Sequence, residues 1–188
     1  YQLIHLLVLP LNKDETHPLF NFSINNDRDL LMILDVLKFI FTKTNGNNRN
    51  LVKYSIEKIK LGEIADLYDN LNHISYIGDK ISTFFLRNLA FIFSMTNEVS
   101  KLDKKDLKYF LPVDTWISQV CEKAGIIEKE NMSNLQMVKE NMIEKCDGLV
   151  NPLFFNQGAW YLGANSFNMM FELLKNKNIL ETWKTKNN

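Results

Sequence analysis

Two residues stand out for the chemistry that their types and settings allow. Lys80 closely follows Gly78 at the start of a strongly periodic segment, and Asp114 follows Leu111-Pro112-Val113 at the start of another. A primary amine is a nucleophile only once it has lost its proton. At the first turn of a helix the positive end of the macrodipole disfavours an ammonium, and partial burial of Lys80 against Tyr76, Phe84 and Phe85 would disfavour it further. Lys80 is therefore expected to be able to form a Schiff base. Asp114 is expected to be the N-cap of a helix from Thr115 to Ala124, where its carboxylate stays ionised and can offset positive charge developing on a reacting carbon.

The segment Ile74-Ser75-Tyr76-Ile77-Gly78-Asp79-Lys80-Ile81 reads as the junction of two helices through a tight turn. Such a turn aims backbone N–H groups outward, where they can hold a phosphate without reading base sequence. Ser75, Tyr76, Ile77 and Gly78 are the candidate contacts, although any helical hairpin can end in glycine. Arg87 and the lysines Lys101, Lys104, Lys105 and Lys108 are candidates for a local positive surface, against the plainer reading of a solvated lysine face.

The elements that must position these residues are helical. Asn26 and Asp27 are capping candidates before Leu30, Leu31, Ile33, Leu34, Leu37, Ile40 and Phe41, and Asn45-Gly46-Asn47-Asn48 ends that helix. Helices are expected over Leu51 to Ile59 and Leu61 to Leu71 with a kink at Gly62, and from Lys80 to about Met95 with Ile81, Phe84, Phe85, Leu89 and Ile92 as its apolar stripe. Pro112 interrupts the chain ahead of Asp114, and Gly125 is expected to end the following helix as a left-handed C-cap. Further helices are expected at about Ser133 to Lys145, Pro152 to Leu162 and Phe167 to Leu174. No strand run and no fixed-period repeat is present, so the chain reads as all-α, one helical domain over 1–188.

Composition bounds the function. The 188 residues are 46% hydrophobic, enough for a buried core, and 22 basic side chains balance 22 acidic ones, so no global positive field draws the chain to nucleic acid. Cys121 and Cys146 alone exclude a four-cysteine cluster, and they read as reduced, intracellular thiols. His5, His17 and His73 have no paired ligand spacing, so no metal is expected. The opening Tyr1-Gln2-Leu3-Ile4-His5-Leu6-Leu7-Val8-Leu9-Pro10 is too short to span a membrane and lacks a signal peptide's basic flank; it reads as a structural element cut at its start.

Ile77-Gly78-Asp79-Lys80-Ile81 followed by Leu111-Pro112-Val113-Asp114-Thr115-Trp116 resembles the hairpin and catalytic loop of the helix-hairpin-helix DNA glycosylase superfamily. With the later Asn156-Gln157-Gly158-Ala159-Trp160 segment, the pattern is most similar to the archaeal 8-oxoguanine glycosylase family and its relatives. The resemblance spans about Leu61 to Gly163, with the hairpin at about 61–95 and the catalytic loop at about 110–116. It implies a helical bundle with a cleft between two helical subdomains and a base-excision glycosylase with AP lyase activity on an oxidised purine. Lys80 would be the nucleophile and Asp114 its partner. The implied partner is double-stranded DNA carrying a damaged base, bound by a monomer without cofactor or membrane, in the cytoplasm at the nucleoid.

A damaged base must leave the stack before a lysine can reach its sugar, which calls for a pocket of aromatic and hydrogen-bonding groups. Gln157 and Trp160, three apart on one helical face, are candidates for reading a base edge and stacking on it; Phe84, one turn beyond Lys80, is a third. Trp160 also fits an ordinary apolar run with Phe154, Phe155 and Tyr161. Family hairpins often carry Gly-x-Gly, and Tyr76 replaces the first glycine here, which restricts the backbone. The second reading is a non-catalytic helix-hairpin-helix module that binds DNA or a protein.

Overall fold

A computed structural model describes residues 27–44 and 49–175, with side chains as far as residue 165. The opening segment with His5 and His17, the Asn26 cap and the Asn45-Gly46-Asn47-Asn48 break lie outside the described residues. Every regular element among the described residues is a helix, in keeping with an all-α class. None of these helices is long and apolar enough to cross a membrane. The chain divides into two compact units, residues 1–78 and 79–188.

The first unit contains α1 (Asp27–Lys43), α2 (Leu51–Lys60) and α3 (Ile64–Asn72). Asn50 starts α2 by accepting a hydrogen bond from the Lys53 N–H at 3.1 Å. The kink expected at Gly62 is a full break. Gly62 adopts φ 74°, its N–H reaches the Ile59 carbonyl, and the next N–H, of Glu63, reaches the Lys58 carbonyl. This pair of bonds satisfies the carbonyls left open at a helix end and needs a left-handed residue. Helix α3 therefore begins at Ile64 rather than Leu61. Ile59, Ile64, Leu67, Leu71 and Ile74 are buried, and Phe39 meets Tyr54 edge to face.

The second unit contains α4 (Asp79–Ile92), the short α5 (Thr96–Val99) and α6 (Lys104–Leu107), α7 (Thr115–Lys123), α8 (Leu135–Cys146) and α9 (Pro152–Lys175). A 3-10 turn over Lys108–Phe110 leads into the loop before α7. Leu86, Phe110, Leu111, Val113, Ile117, Met142 and Leu153 form the centre of its core. Gly125 adopts φ 70° at the end of α7, as its position after the periodic segment predicts. The two helices expected at the C-terminal end are one, because nothing between Leu162 and Phe167 interrupts α9.

Helix α4 corrects the sequence reading most. Its buried face is Ser82, Thr83, Leu86, Arg87, Leu89 and Ala90. Ile81, Phe84 and Ile92, expected to point inward, are exposed. Thr83 donates its hydroxyl to the Asp79 carbonyl at 2.7 Å, which lets a polar residue occupy the interior without an orphaned group.

Candidate active site

Asp114 is built by its own helix. It sits at the N-cap of α7 in extended conformation (φ −130°, ψ −176°), and Oδ1 accepts from the Ile117 N–H at 3.1 Å. Leu111 before the proline is also non-helical (φ −114°, ψ 85°), since the proline ring disfavours the α region for the residue ahead of it. The cap uses one carboxylate oxygen. The other, Oδ2, lies 3.3 Å from Nζ of Lys80, at the first turn of α4. The motif pair therefore forms a direct ion pair, with Asp114 12% exposed and Lys80 61% exposed.

That exposure overturns one expectation. The burial that would desolvate the Lys80 amine is not there; what surrounds the amine is solvent and one carboxylate. An ion pair so exposed adds little to stability, because water and salt screen it. Its exposed neighbours on α4 are apolar. Ile81 follows Lys80 directly, and Phe84, 39% exposed, stands one turn on, with the Arg87 guanidinium 4.8 Å from its ring centre.

Arg87 is not on a DNA-facing surface. It is 3% exposed, and its Nη1 donates to Oδ1 of Asn156 at 2.8 Å. Asn156 is fully buried, and its Nδ2 donates to the Pro112 carbonyl at 2.9 Å. Burial pushes the Arg87 guanidinium below its ordinary value, opposed by attraction to the Asp114 charge.

Lys139 makes a second buried link. Its ammonium donates to Oδ1 of Asp79, the first residue of α4, at 2.6 Å. Burial lowers the Lys139 value, Asp79 opposes the shift, and nearby Lys108 adds to it. Neither Asn156 nor Lys139 was singled out from the sequence. A signal exists: each interrupts a buried apolar stripe, Asn156 among Leu153 and Ala159, Lys139 beside Val138 and Met142. A polar residue in such a stripe must find a partner.

The hairpin residues behave unevenly. Ser75 donates both its hydroxyl and its N–H to Oδ2 of Asp35, so these donors are committed, and an anion stands where a phosphate was expected. That hydroxyl also helps hold the Asp35 carboxyl below the usual carboxylate range. The Ile77 N–H closes the turn onto the Ile74 carbonyl at 3.0 Å. Tyr76 and Gly78 are exposed. Tyr76 adopts φ 64°, so it keeps the left-handed backbone that a glycine would take easily, and Arg28 lies over its ring at 5.1 Å.

Gln157 and Trp160 are both exposed on α9. Two of the four lysines of the run, Lys104 and Lys105, are paired with carboxylates. Lys104 pairs with Asp147 at 2.9 Å and Lys105 with Asp103 at 3.6 Å, and both share a surface depression with Lys108, Glu140 and Glu144. Cys121 and Cys146 are free and buried; burial pushes the Cys121 thiol up to about 12, which suppresses the reactive thiolate. Among the described residues no group of three or more His, Cys, Asp and Glu side chains is placed to hold a metal ion. In comparison with known proteins, no family model matches the chain, and no curated protein and no solved structure matches it.

Proposed function

We propose that this protein is a base-excision DNA glycosylase with AP lyase activity, with Lys80 as nucleophile and Asp114 as its electrostatic partner. The observation that carries the reading is the 3.3 Å approach of the Lys80 amine to the uncapped oxygen of Asp114, with the amine open to a substrate. Two residues far apart in sequence, each in a motif with the same family resemblance, meet at one point.

In the proposed reaction the Lys80 ammonium first gives a proton to solvent. Its amine attacks C1′ of a flipped nucleotide, and the glycosidic bond breaks with its electron pair leaving on the base, which takes up the proton that Nζ sheds on forming the new bond. The sugar ring opens to give an imine between Nζ and C1′. Loss of a C2′ proton then breaks the C3′–O bond and expels the 3′ phosphate, and water releases the lysine. Asp114 stabilises the positive charge on the sugar as the glycosidic bond lengthens. Phe84, Gln157 and Trp160 are the proposed base-contacting groups, since all three are exposed. An oxidised purine is the proposed base, on the resemblance alone.

Borohydride trapping tests the reading. A duplex containing 8-oxoguanine or an abasic site should give a covalent adduct with the wild type and none with Lys80→Gln. An adduct that survives the substitution removes Lys80 from the role. The second reading, a non-catalytic helix-hairpin-helix module, is favoured by one observation: Lys80 is solvated rather than buried. DNA binding without any trapped adduct would select it.

A further inference from the structure

We propose that Asn156 is a positioning residue for the Lys80–Asp114 pair, joining the helix that carries the lysine to the loop that carries the aspartate. The role rests on the glycosylase reading for its effect on rate, but the link itself is independent of it. Arg87 stands seven residues after Lys80 on α4, roughly 10 Å along the helix axis. Pro112 lies two residues before Asp114 in the loop. The Asn156 amide accepts from the first at 2.8 Å and donates to the second at 2.9 Å.

The orientation of that amide is forced. A guanidinium only donates and a backbone carbonyl only accepts, so the oxygen must face Arg87 and the nitrogen must face Pro112. Each end of the amide is therefore matched to one element of the site, and a flipped amide would lose both bonds.

Stability alone does not account for this arrangement. Asn156 lies in a stripe with Leu153 and Ala159, where a leucine could bury without any partner. Arg87 is buried with Nε making no hydrogen bond among the described residues, a penalty that an apolar side chain would avoid. What the polar link supplies is geometry. The loop before Asp114 cannot slide along α4 without breaking a bond in a dry interior. The cap fixes the Asp114 carboxylate on α7 and Lys139 holds the start of α4, while the Asn156 link ties the loop before Asp114 to α4 itself. The attraction between Arg87 and Asp114 acts in the same sense.

The experiment uses Asn156→Asp, which preserves shape and the acceptor for Arg87 but sets an oxygen against the Pro112 carbonyl. Arg87→Met breaks the link from the other side and serves as the second variant. Lysines are dimethylated with 13C-formaldehyde, and the Lys80 signal is identified by its absence in Lys80→Arg and by its displacement in Asp114→Asn. Both link variants should displace the Lys80 signal in the same direction as Asp114→Asn. In parallel, the rate of adduct formation on saturating abasic duplex should fall about 10- to 100-fold, with duplex affinity within about threefold of wild type, as expected for misplacement near ~1 Å.

A Lys80 signal unchanged in both variants overturns the proposal, whatever the rate does. If the wild type forms no adduct, the glycosylase reading fails, and the displaced signal still establishes Asn156 as the link. Arg87→Lys, which keeps a donor and the charge, should retain more of the rate than Arg87→Met; equal loss in the two also counts against the link.

Discussion

The turn Ile74–Gly78 and the loop Leu111–Asp114 both deliver the chain into the start of a helix, and they are held in opposite ways. The apex of the turn closes on its own backbone and stands open to solvent. Ile77 bonds back to Ile74, Ser75 is held by Asp35 within its own unit, and the apex residue Tyr76 is 46% exposed. The loop is held from afar. Leu111, Pro112 and Val113 are buried, and the Pro112 carbonyl is held by Asn156, a residue of α9. An exposed apex closed by its own backbone absorbs substitution, whereas a buried loop whose carbonyl is held by a distant side chain passes distant substitutions on to the residue it presents.

The start of α4 should behave like the loop. Lys139→Met would take the buried ammonium away from the Asp79 carboxylate, and a cost of about 2–4 kcal/mol is expected, below the full value for a buried pair because Asp79 keeps some solvent. Urea denaturation measures it, and adding Asp79→Asn should restore much of the loss. A loss in Lys139→Met of under about 1 kcal/mol would remove the start of α4 from the group held at a distance.

Next in size is Gly163→Ala on α9. The added Cβ would stand 2.7 Å from Cβ of Trp116 at the start of α7, with the Trp116 backbone close behind. Helix α7 must move, and about 1–3 kcal/mol of overpacking is expected. The displacement should slow adduct formation too, although Gly163 touches neither Lys80 nor a base. Full activity in a destabilised Gly163→Ala protein would mean that the loop does not transmit the shift.

Asp114 itself can be divided. Asp114→Ala removes the cap and should cost about 1 kcal/mol, while Asp114→Asn caps equally well and should stay within about 0.5 kcal/mol of wild type. Both remove the charge opposite Lys80, so both should lose adduct formation. Thermal melts and trapping on the same two proteins separate the roles, and an active Asp114→Asn would show that the cap is all the aspartate supplies.

The smallest effect is at the turn. At an ordinary exposed position alanine is the more stabilising residue, but at φ 64° the order should reverse, with Tyr76→Gly more stable than Tyr76→Ala by about 1 kcal/mol. The usual order would mean that the left-handed geometry is not maintained once the ring is removed. Neither variant should affect the Lys80 signal, in contrast to substitutions around the loop.

Much of this was written locally. The Asp114 cap, the Gly125 and Gly62 helix ends and the helical periodicities depend on residues within a turn or two of each other, so short-range sterics and hydrogen bonds determine them without reference to the rest of the chain. The face that α4 buries was not determined in this way. Its large apolar residues Ile81, Phe84 and Ile92 suggested one stripe, and the interior holds Ser82, Thr83 and Arg87 instead. Periodicity reveals that a face exists; the neighbours decide which one becomes the core. Arg87 read as a surface cation because its partner, Asn156, lies on another helix, and nothing near Arg87 announces it. Lys139 is the same case. The sequence by itself determined that Lys80 and Asp114 each lie at the start of a helix. Only the tertiary structure decided that the two meet, that the amine stays in water, and that Asn156 and Lys139 hold their supports, because a buried polar group is stable only where a partner from elsewhere in the chain arrives to satisfy it.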